Sequence, residues 1–92
     1  MNQSGWRNFL KLCIASENEK QLSSLFDLLL THEERESIAM RCLIVEELLK
    51  QDKPQREIAN HLHVSIAKIT RGSNELKRMP GKLIDFIKLK MK

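Results

Sequence analysis

Apolar residues recur at helical spacing along nearly the whole chain. No segment alternates apolar and polar residues in the way that a half-buried strand does. The apolar stripes predict six helices, which lie around residues 6–13, 22–29, 38–49, 58–62, 64–69 and 83–91. The chain is therefore expected to be all-α.

Polar residues with capping chemistry separate these stripes. Residues 16–19 and 31–34 both have the spacing of a capping box, in which the first and fourth residues satisfy each other's backbone N–H groups. The second box opens the longest helix, which is expected to run to about Lys50. We expect Asp52 to cap the fourth helix, with Pro54 in its first turn, and Pro80 to begin the sixth.

The third predicted helix is apolar over more than one stripe. Besides the stripe at residues 38–49, it carries Met40, Leu43, Ile44 and Leu48. So wide an apolar surface implies burial on several sides. A chain of 92 residues, 41% of them hydrophobic, is short of interior, because a chain of this size buries only about 60% of its unfolded surface. We therefore expect an obligate homodimer.

Residues 55–74 have the pattern of a helix-turn-helix. An apolar face is resumed after a short break, and it comprises Ile58, Ala59, Leu62, Val64 and Ile69. Ala59 is small enough for a close crossing of two helices. His63 falls at the turn, where a positive φ is common and His is among the non-glycine residues that adopt it. Ser65 can then cap the second helix of the motif.

The second helix of this motif would present a partly basic face outward. The residues on or near that face are Ile66, Ala67, Lys68, Thr70 and Arg71. Seven basic and two acidic residues lie between Lys53 and Lys82, a net charge of +5, whereas the whole chain carries +4. A helix within such a basic segment fits a DNA major groove. The alternative is a pair of ordinary surface helices, because helix-turn-helix patterns are short and degenerate.

Other classes of protein find little support in the sequence. No apolar run approaches the roughly 20 residues that span a bilayer, and the N-terminal segment lacks the layout of a signal peptide, so we expect a cytoplasmic protein. His61 and His63 do not share a helix face, and no metal site is expected. Cys13 and Cys42 lie on apolar stripes, which favours buried thiols over a disulfide. No set of nucleophile, base and orienting residue indicates an enzyme.

Two blocks of the sequence resemble the bacterial tryptophan repressor family. One is ITRGSNELK at residues 69–77, preceded by QREIA at 55–59, and the other is LTHEERE…RCLIVEELL at 30–49. The similarity runs from about Trp6 to Lys77. It implies an all-α, six-helix intertwined homodimer whose helix-turn-helix heads bind a palindromic operator when L-tryptophan is present. We expect a single domain over residues 1–92, with the helical dimer core at about 5–50 and 80–92 and the helix-turn-helix at about 55–74.

The resemblance assigns a site for tryptophan. Arg41 and Arg71 match the two arginines whose planar guanidinium groups hold the indole ring between them, one from each subunit. Arg71 would also pair with the ligand carboxylate, helped by the hydroxyl of Thr31. Gly72 matches the glycine that leaves room for the ring. In the simpler reading of these residues, Thr31 is a helix cap and Arg41 a solvated charge.

The ligand ammonium has its own expected partners. Backbone carbonyl groups near Leu28 and Leu30 would accept hydrogen bonds from it. Glu75 stands where the family pattern has a small hydroxyl residue. Its carboxylate would either hold the ammonium more strongly or obstruct the pocket by its bulk, and both readings remain open.

The resemblance also assigns a DNA face. Arg56 matches a base- or phosphate-contacting arginine, and guanine would accept two hydrogen bonds from it. The groove-facing positions are Gln55, Ile66, Ala67, Lys68 and Thr70. This chain departs from the family pattern on that face, with Ala59 in place of a basic residue and Lys68 in place of a threonine. At the turn, His63 replaces a glycine.

The main hypothesis is a sequence-specific transcriptional repressor that controls tryptophan biosynthesis or uptake genes. L-Tryptophan is its corepressor, and no other cofactor is expected. A constitutive or differently gated regulator of the same fold is the nearest alternative, favoured if Glu75 blocks the pocket. A helical interaction module that binds no DNA is the alternative from another class, and it predicts no salt-sensitive binding to DNA.

Overall fold

The computed structural model describes residues 1–91 and confirms the all-α prediction. Across these residues it has six helices and no strand: α1 (Gln3–Ala15), α2 (Glu19–Leu29), α3 (His32–Lys50), α4 (Gln55–Leu62), α5 (Ile66–Lys77) and α6 (Gly81–Lys90). None of these six helices has the length and apolar character needed to cross a membrane. The chain divides into two compact units within α3, of which the first is Met1–Glu36 and the second begins at Ser37.

In the first unit, aromatic side chains link α1 to α2. The rings of Trp6 and Phe9 stack with centroids 5.2 Å apart, and those of Phe9 and Phe26 stack at 5.9 Å. Arg35, in the first turn of α3, forms an ion pair with Asp27 near the end of α2. No residue of α1 or α2 is buried, so this unit has no closed core of its own.

The cap of α2 differs from the prediction. Asn18, two residues after Ser16, is the N-cap, and its Oδ1 accepts a hydrogen bond from the Gln21 backbone N–H at 2.8 Å. The Gln21 side chain in turn accepts from the Glu17 N–H at 2.7 Å. Ser16 ends α1 instead, and its hydroxyl donates to the Leu12 carbonyl at 2.9 Å. Asn and Ser are comparable N-caps, and here the reciprocal partner at Gln21 favours Asn18.

The capping box that was predicted for α3 is confirmed. The Thr31 N–H donates to Glu34 Oε1 at 2.8 Å, and the Glu34 N–H donates to Thr31 Oγ1 at 3.1 Å. The helix that follows has 19 residues, runs to Lys50 as expected, and is the longest of the six. Thr31 is therefore a cap, whatever else its hydroxyl does.

The fourth helix begins without the predicted cap. Its N-cap is Pro54, in an extended conformation, and no side chain accepts a hydrogen bond from the first turn. Asp52, which was expected to cap it, lies 3.7 Å from Lys53 Nζ instead. Because α4 begins at Gln55, Asp52 lies two residues before the N-cap position and is not placed to cap the helix. Pro80 is the N-cap of α6, in agreement with the prediction that it begins the last helix.

The core of the second unit lies where α3, α4 and α5 meet. Its buried residues are Ile44, Ile58, Ala59 and Ile69, and the partly buried residues packed against them are Met40, Leu48, Leu62 and Val64. This set confirms the apolar face predicted for the helix-turn-helix. Ala59 is only 5% exposed. Ala59 is therefore a core residue, as its predicted place at the close crossing of two helices requires, and the departure from the family pattern at this position does not lie on the exposed DNA face.

The turn between α4 and α5 has the backbone that the sequence predicts. His63 adopts a left-handed conformation with φ 58° and ψ 43°, and the Val64 N–H donates to the Ala59 carbonyl at 3.1 Å. Ser65 is the N-cap of α5, and its hydroxyl accepts a weak hydrogen bond from the Lys68 N–H at 3.4 Å. The two helices are thus joined by a three-residue turn, as in a helix-turn-helix.

His63 should carry a conformational penalty that glycine would relieve. A non-glycine residue in the left-handed region costs roughly 1–2 kcal/mol, partly offset by the greater freedom of glycine in the unfolded chain. We expect His63→Gly to raise the free energy of unfolding by about 0.5–1 kcal/mol, measured by urea denaturation. His63→Ala is the control, because it removes the imidazole but keeps the Cβ. Equal stability of the Gly and Ala variants would contradict the strain argument.

Much of the apolar surface of α3 is exposed in the single chain. Ile38 and Leu43 are 44% and 43% exposed, because the helices of the second unit cover only the side of α3 that carries Ile44. Cys42 is also exposed and Cys13 is half-buried. The expectation that both thiols are buried is therefore wrong for the chain on its own.

The sixth helix likewise has an open apolar side. Ile87 is half-buried, as predicted. Leu83, Phe86 and Met91, which were also expected to face inward, are exposed, and Phe86 is 56% exposed. The apolar stripe of α6 is therefore correct as a sequence pattern, but the second unit covers only part of it.

Candidate functional site

A cavity of about 560 Å³ lies within the second unit, between α3, α5 and α6. Its volume is within the range of roughly 300–1,000 Å³ that is typical of small-molecule sites. The residues that line it are Ser37, Met40, Arg41, Ile44, Val45, Lys68, Arg71, Gly72, Glu75, Leu76, Met79, Leu83 and Ile87. The wall therefore combines an apolar majority with a few charged groups, as expected for a site that binds an amphipathic molecule.

Four of the seven residues predicted to bind tryptophan line this cavity together: Arg41, Arg71, Gly72 and Glu75. The resemblance places one arginine from each subunit over the ring, and within one protomer both arginines border the same space. Neither Arg41 nor Arg71 forms an ion pair within residues 1–91. Their guanidinium groups are therefore free to bind an anion or to stack on an aromatic ring.

Glu75, the acidic residue of the cavity, already has a hydrogen-bond partner. Glu75 Oε1 accepts a hydrogen bond from Arg78 Nη1 at 3.1 Å. Arg71 precedes Glu75 by one helical turn, so the two side chains lie on the same face of α5, yet they do not form an ion pair. The cavity thus offers separate positive and negative groups, which suits a ligand that carries both charges.

Gly72 has a packing role that the sequence suggested only in part. A Cβ atom at this position would lie 3.0 Å from Ile44 Cγ2 and 3.4 Å from Leu48 Cδ1. The first distance is shorter than an ordinary carbon–carbon contact. A larger residue at position 72 would therefore require Ile44 to shift by a few tenths of an ångström, so glycine suits the close approach of α5 to α3 at one wall of the cavity.

The other three predicted ligand residues, Leu28, Leu30 and Thr31, lie in the first unit at the junction of α2 and α3. Leu28 is 80% exposed and lies in the last turn of α2, where carbonyl groups have no partner within the helix. Such carbonyls carry partial negative charge and suit an ammonium group. The Thr31 hydroxyl accepts a hydrogen bond from the Glu34 N–H, which leaves its own proton available for donation.

The apolar part of the cavity wall was not predicted from the sequence. Leu76 and Met79 follow Gly72 along the chain, and Leu83 and Ile87 lie one turn apart on α6. The spacing of Leu83 and Ile87 predicts a core stripe. Only the structure shows that this stripe faces an open space.

The predicted DNA face is largely open to solvent. Ile66, Ala67, Lys68 and Thr70 are exposed on α5, and Arg56 is exposed on α4. Gln55, the first residue of α4, is half-buried, and its Oε1 accepts a hydrogen bond from the Thr70 hydroxyl at 2.8 Å. Lys68 belongs to this face and also lines the cavity. The helix that would enter a DNA groove is therefore also a wall of the ligand site.

Not every basic side chain between Lys53 and Lys82 is available to bind phosphate, because Lys53 is paired with an acidic residue of its own chain. Lys53 Nζ lies 3.0 Å from Glu47 Oε2, and the other oxygen of Glu47 lies 3.0 Å from Lys50 Nζ. The hydrogen bonds from Lys53 and then Lys50 lower the pKa of Glu47, and the bond from Glu47 raises the pKa of Lys53. Lys53 is thus held by acidic groups of its own chain, a pairing that sequence analysis did not predict.

The Glu47–Lys53 pair predicts a pH-dependent contribution to stability. Because the pKa of Glu47 is lowered, its carboxylate stabilises the folded state at pH values above 4.5, its ordinary pKa. This contribution is lost as the pH falls through the lowered pKa. We expect Glu47→Gln to unfold at lower urea concentration than the wild type at pH 7, with the difference closing below pH 4.5. Glu46→Gln is the control, because Glu46 forms no ion pair within residues 1–91. A difference that persisted unchanged in acid would contradict the ion-pair explanation.

Comparison with known proteins gives consistent matches. The family model described as Trp repressor protein matches residues 4–90. A Trp operon repressor homolog of Chlamydia caviae is 48% identical over 87 residues, covering 95% of this chain and 86% of that protein. One from Chlamydia trachomatis is 46% identical over 85 residues, covering 92% and 90%. One from Histophilus somni is 41% identical over 87 residues, covering 95% and 82%.

Proposed function

Since the chain belongs to the Trp repressor family, we propose that it is a DNA-binding transcriptional repressor with L-tryptophan as its corepressor. The genes it controls would be those of tryptophan biosynthesis or uptake, and it would act in the cytoplasm. Its family is one of regulators and not of enzymes, which confirms the prediction that the chain is not an enzyme.

The observation that supports this proposal is that α5 contributes residues both to the cavity and to the candidate DNA face. Arg71, Gly72 and Glu75 line the cavity, while Ile66, Ala67 and Thr70 of the same helix are exposed on the candidate DNA face. A ligand in the cavity would contact α5 directly and so restrict its position. Such a ligand can favour DNA binding only if it binds the DNA-competent arrangement better than the others.

The chemistry of the cavity is compatible with tryptophan. Arg71 would bind the carboxylate, and the guanidinium groups of Arg71 and Arg41 would cover the indole ring. For the ammonium and carboxylate, the resemblance also implies the carbonyl groups of Leu28 and Leu30 and the hydroxyl of Thr31, which belong to the first unit. The apolar wall from Met40 to Ile87 would receive the benzene edge of the ring.

The experiment that tests this proposal is retention of DNA with and without tryptophan. Duplexes would be selected from a random-sequence pool by the wild-type protein in the presence of L-tryptophan, and affinity for a selected duplex would then be measured at fixed salt. We expect tighter binding with tryptophan by about 5–150-fold, the usual range of allosteric coupling. Failure to retain any DNA would refute the proposal.

A constitutive regulator of the same fold is the second candidate, and Glu75 is the observation that favours it. The side chain stands in the cavity that tryptophan would occupy and is already hydrogen-bonded to Arg78. Equal affinity for DNA with and without tryptophan would establish this candidate. An interaction module without DNA binding would give no salt-dependent retention at all.

We also propose that the functional unit is a homodimer. The buried core of residues 1–91 consists of four residues, and large apolar side chains on α1, α2, α3 and α6 are exposed. A second copy of the chain would cover such surfaces, and a two-fold symmetric dimer would match a palindromic operator.

The dimer predicts that stability depends on protein concentration. The midpoint of urea unfolding should rise when the concentration is raised, because association stabilises the folded state. Leu43→Glu should dissociate the dimer, since Leu43 is half-exposed in the chain alone and tolerates a charge only if it stays exposed. Sedimentation equilibrium would measure both effects. A folded monomer with concentration-independent unfolding would contradict the proposal.

A further inference from the structure

The connection between α3 and α4, residues 51–54, is held only weakly by contacts of its own. Gln51 has a positive φ of 56°. In this conformation the Cβ of an L-residue lies too close to a neighbouring carbonyl oxygen, so the backbone is strained. The helix that follows begins at the N-cap Pro54 without a side-chain cap. The direction in which α4 leaves α3 therefore depends on contacts made outside the connection.

Glu47 makes such a contact across the connection. Its Oε2 lies 3.0 Å from Lys53 Nζ, on the far side of the break, and its Oε1 lies 3.0 Å from Lys50 Nζ. These two contacts form the Glu47 bridge. The side chains of Glu47 and Lys53 are only 12% and 26% exposed, so water screens this pair less than it screens a pair on an open surface. Because Lys50 belongs to α3 itself, only the Lys53 contact spans the connection.

The helix-turn-helix has few other contacts that hold it to α3. α4 and α5 pack mainly against each other, and α3 contributes only Ile44 to the buried core. Within residues 1–91, no other side-chain hydrogen bond or ion pair joins α3 to a residue after Lys50. Leu48, the neighbour of Glu47, approaches Gly72 of α5, where a Cβ would lie 3.4 Å from Leu48 Cδ1. The Glu47 bridge therefore lies beside the place where α3 meets α5.

We propose that Glu47 is a positioning residue that holds the helix-turn-helix against α3, and that α4 and α5 move away from α3 together when the Lys53 contact opens. Residues of α3 and α5 both line the cavity, so this opening would separate two of its walls. A ligand in the cavity should therefore favour the closed bridge. This effect of a ligand rests on the proposed function, whereas the motion of α4 and α5 does not.

Hydrogen exchange of backbone amides in the ligand-free protein tests the motion. Lys53→Gln and Glu47→Gln each remove the contact that spans the connection. In both variants the amides of α4 and α5 should exchange about 2–5-fold faster than in the wild type, the usual effect of one ion pair. The double variant should exchange no faster than either single variant. Unchanged rates in α4 and α5, or effects that add in the double variant, would overturn the positioning role.

Lys50→Gln is the matched control. It removes the same charge and a contact with the same carboxylate at the same distance of 3.0 Å. This contact lies within α3, so it persists when α4 and α5 move away and is lost only when α3 unfolds. Lys50→Gln should therefore leave the exchange of α4 and α5 at the wild-type rate. An acceleration as large as that in Lys53→Gln would mean that no separate opening exists, and it would overturn the proposal.

Ionic strength gives a second measurement that does not depend on the Glu47→Gln variant. At about 1 M salt the Debye length is about 3 Å, so the Lys53 contact should contribute little. The ratio of the exchange rates of Lys53→Gln and the wild type, compared at the same salt concentration, should then fall toward one. A constant ratio would mean that packing of the Lys53 side chain, and not its charge, holds α4. That result would overturn the role of the Glu47 carboxylate.

The same exchange measurement with L-tryptophan tests the link to the cavity. Free tryptophan at about ten times its dissociation constant, which calorimetry would supply, should slow the exchange of α4 and α5 about tenfold, because it binds the closed arrangement. Tryptophan that bound without slowing this exchange would overturn the link between the Glu47 bridge and the cavity. Absence of any tryptophan binding would refute the proposed corepressor, while the exchange of the ligand-free variants would still decide the positioning role of Glu47.

Discussion

Arg71→Ala is expected to lower the affinity for L-tryptophan by about 30-fold or more. The guanidinium of Arg71 would both pair with the carboxylate, a contact of about 1.5–3 kcal/mol, and cover the indole ring, which adds about 0.5–2 kcal/mol. Arg41→Ala removes only a stacking group and should reduce affinity by about 2–30-fold. Isothermal titration calorimetry would measure both losses and show whether Arg71 is the larger.

Neither substitution should disturb the fold. Both arginines are exposed and form no ion pair within residues 1–91, so their removal leaves no buried charge. Arg35→Ala is a matched control, because Arg35 lies on the same helix as Arg41 but pairs with Asp27. It should leave tryptophan affinity unchanged. A loss in Arg35→Ala as large as that in Arg71→Ala would mean that the cavity arginines have no specific role.

If tryptophan binding and DNA binding are coupled, each ligand must change the affinity for the other. If tryptophan tightens binding to the selected duplex by a given factor, the duplex must tighten tryptophan binding by the same factor. Arg41→Ala should keep the DNA affinity of the ligand-free protein and lose most of the response to tryptophan. An Arg41→Ala protein with the full wild-type response would show that Arg41 does not couple tryptophan binding to DNA binding.

The parts of the fold that were predicted correctly depend on local chemistry. The Thr31–Glu34 capping box and the Ser65 cap each join residues three positions apart, so their sequence spacing is sufficient. The left-handed conformation of His63 follows from the short break between two apolar stripes. The misplaced caps show the limit of such reasoning. Ser16 and Asn18 are both good caps, and only the position of Gln21 decides between them.

The contacts that were not predicted depend on the path of the chain. Lys53 reaches Glu47 across the end of α3, where Gln51 has a positive φ of 56°. The bond between Thr70 and Gln55 depends on how α4 crosses α5. The spacing of apolar residues predicts neither the positive φ at Gln51 nor the way in which α4 crosses α5. These two contacts could therefore not be predicted from periodicity.

The candidate site was predicted in part because it rests on the family motif. The ITRGSN segment identified Arg71 and Gly72, and the cavity contains both. The motif carries no information about the apolar wall, since Leu83 and Ile87 resemble any core stripe. The second role of Gly72, the close approach to Ile44, also required the structure.

Glu75 distinguishes the tryptophan-activated repressor from the constitutive regulator, and we expect its replacement to lower the affinity for tryptophan strongly. In the cavity it is accompanied by three basic side chains, Arg41, Lys68 and Arg71, and is the one acidic group among the lining residues. A carboxylate that binds the tryptophan ammonium contributes about 1.5–3 kcal/mol. Glu75→Ser should therefore lower tryptophan affinity by about 10–150-fold.

An analogue without the ammonium tests the cause of that loss. Indole-3-propionate keeps the ring and the carboxylate, so Glu75 would only repel it, and Glu75→Ser should increase its affinity. Calorimetry with both ligands on both proteins gives the comparison, and Arg78→Ala is the control for the hydrogen bond that Glu75 already makes. If Glu75→Ser instead tightened binding of both ligands, bulk and not charge would be the role of Glu75. The wild-type cavity would then be obstructed for tryptophan, and a differently gated regulator would follow, since the side chain that distinguishes this chain from the family pattern would exclude the family's ligand.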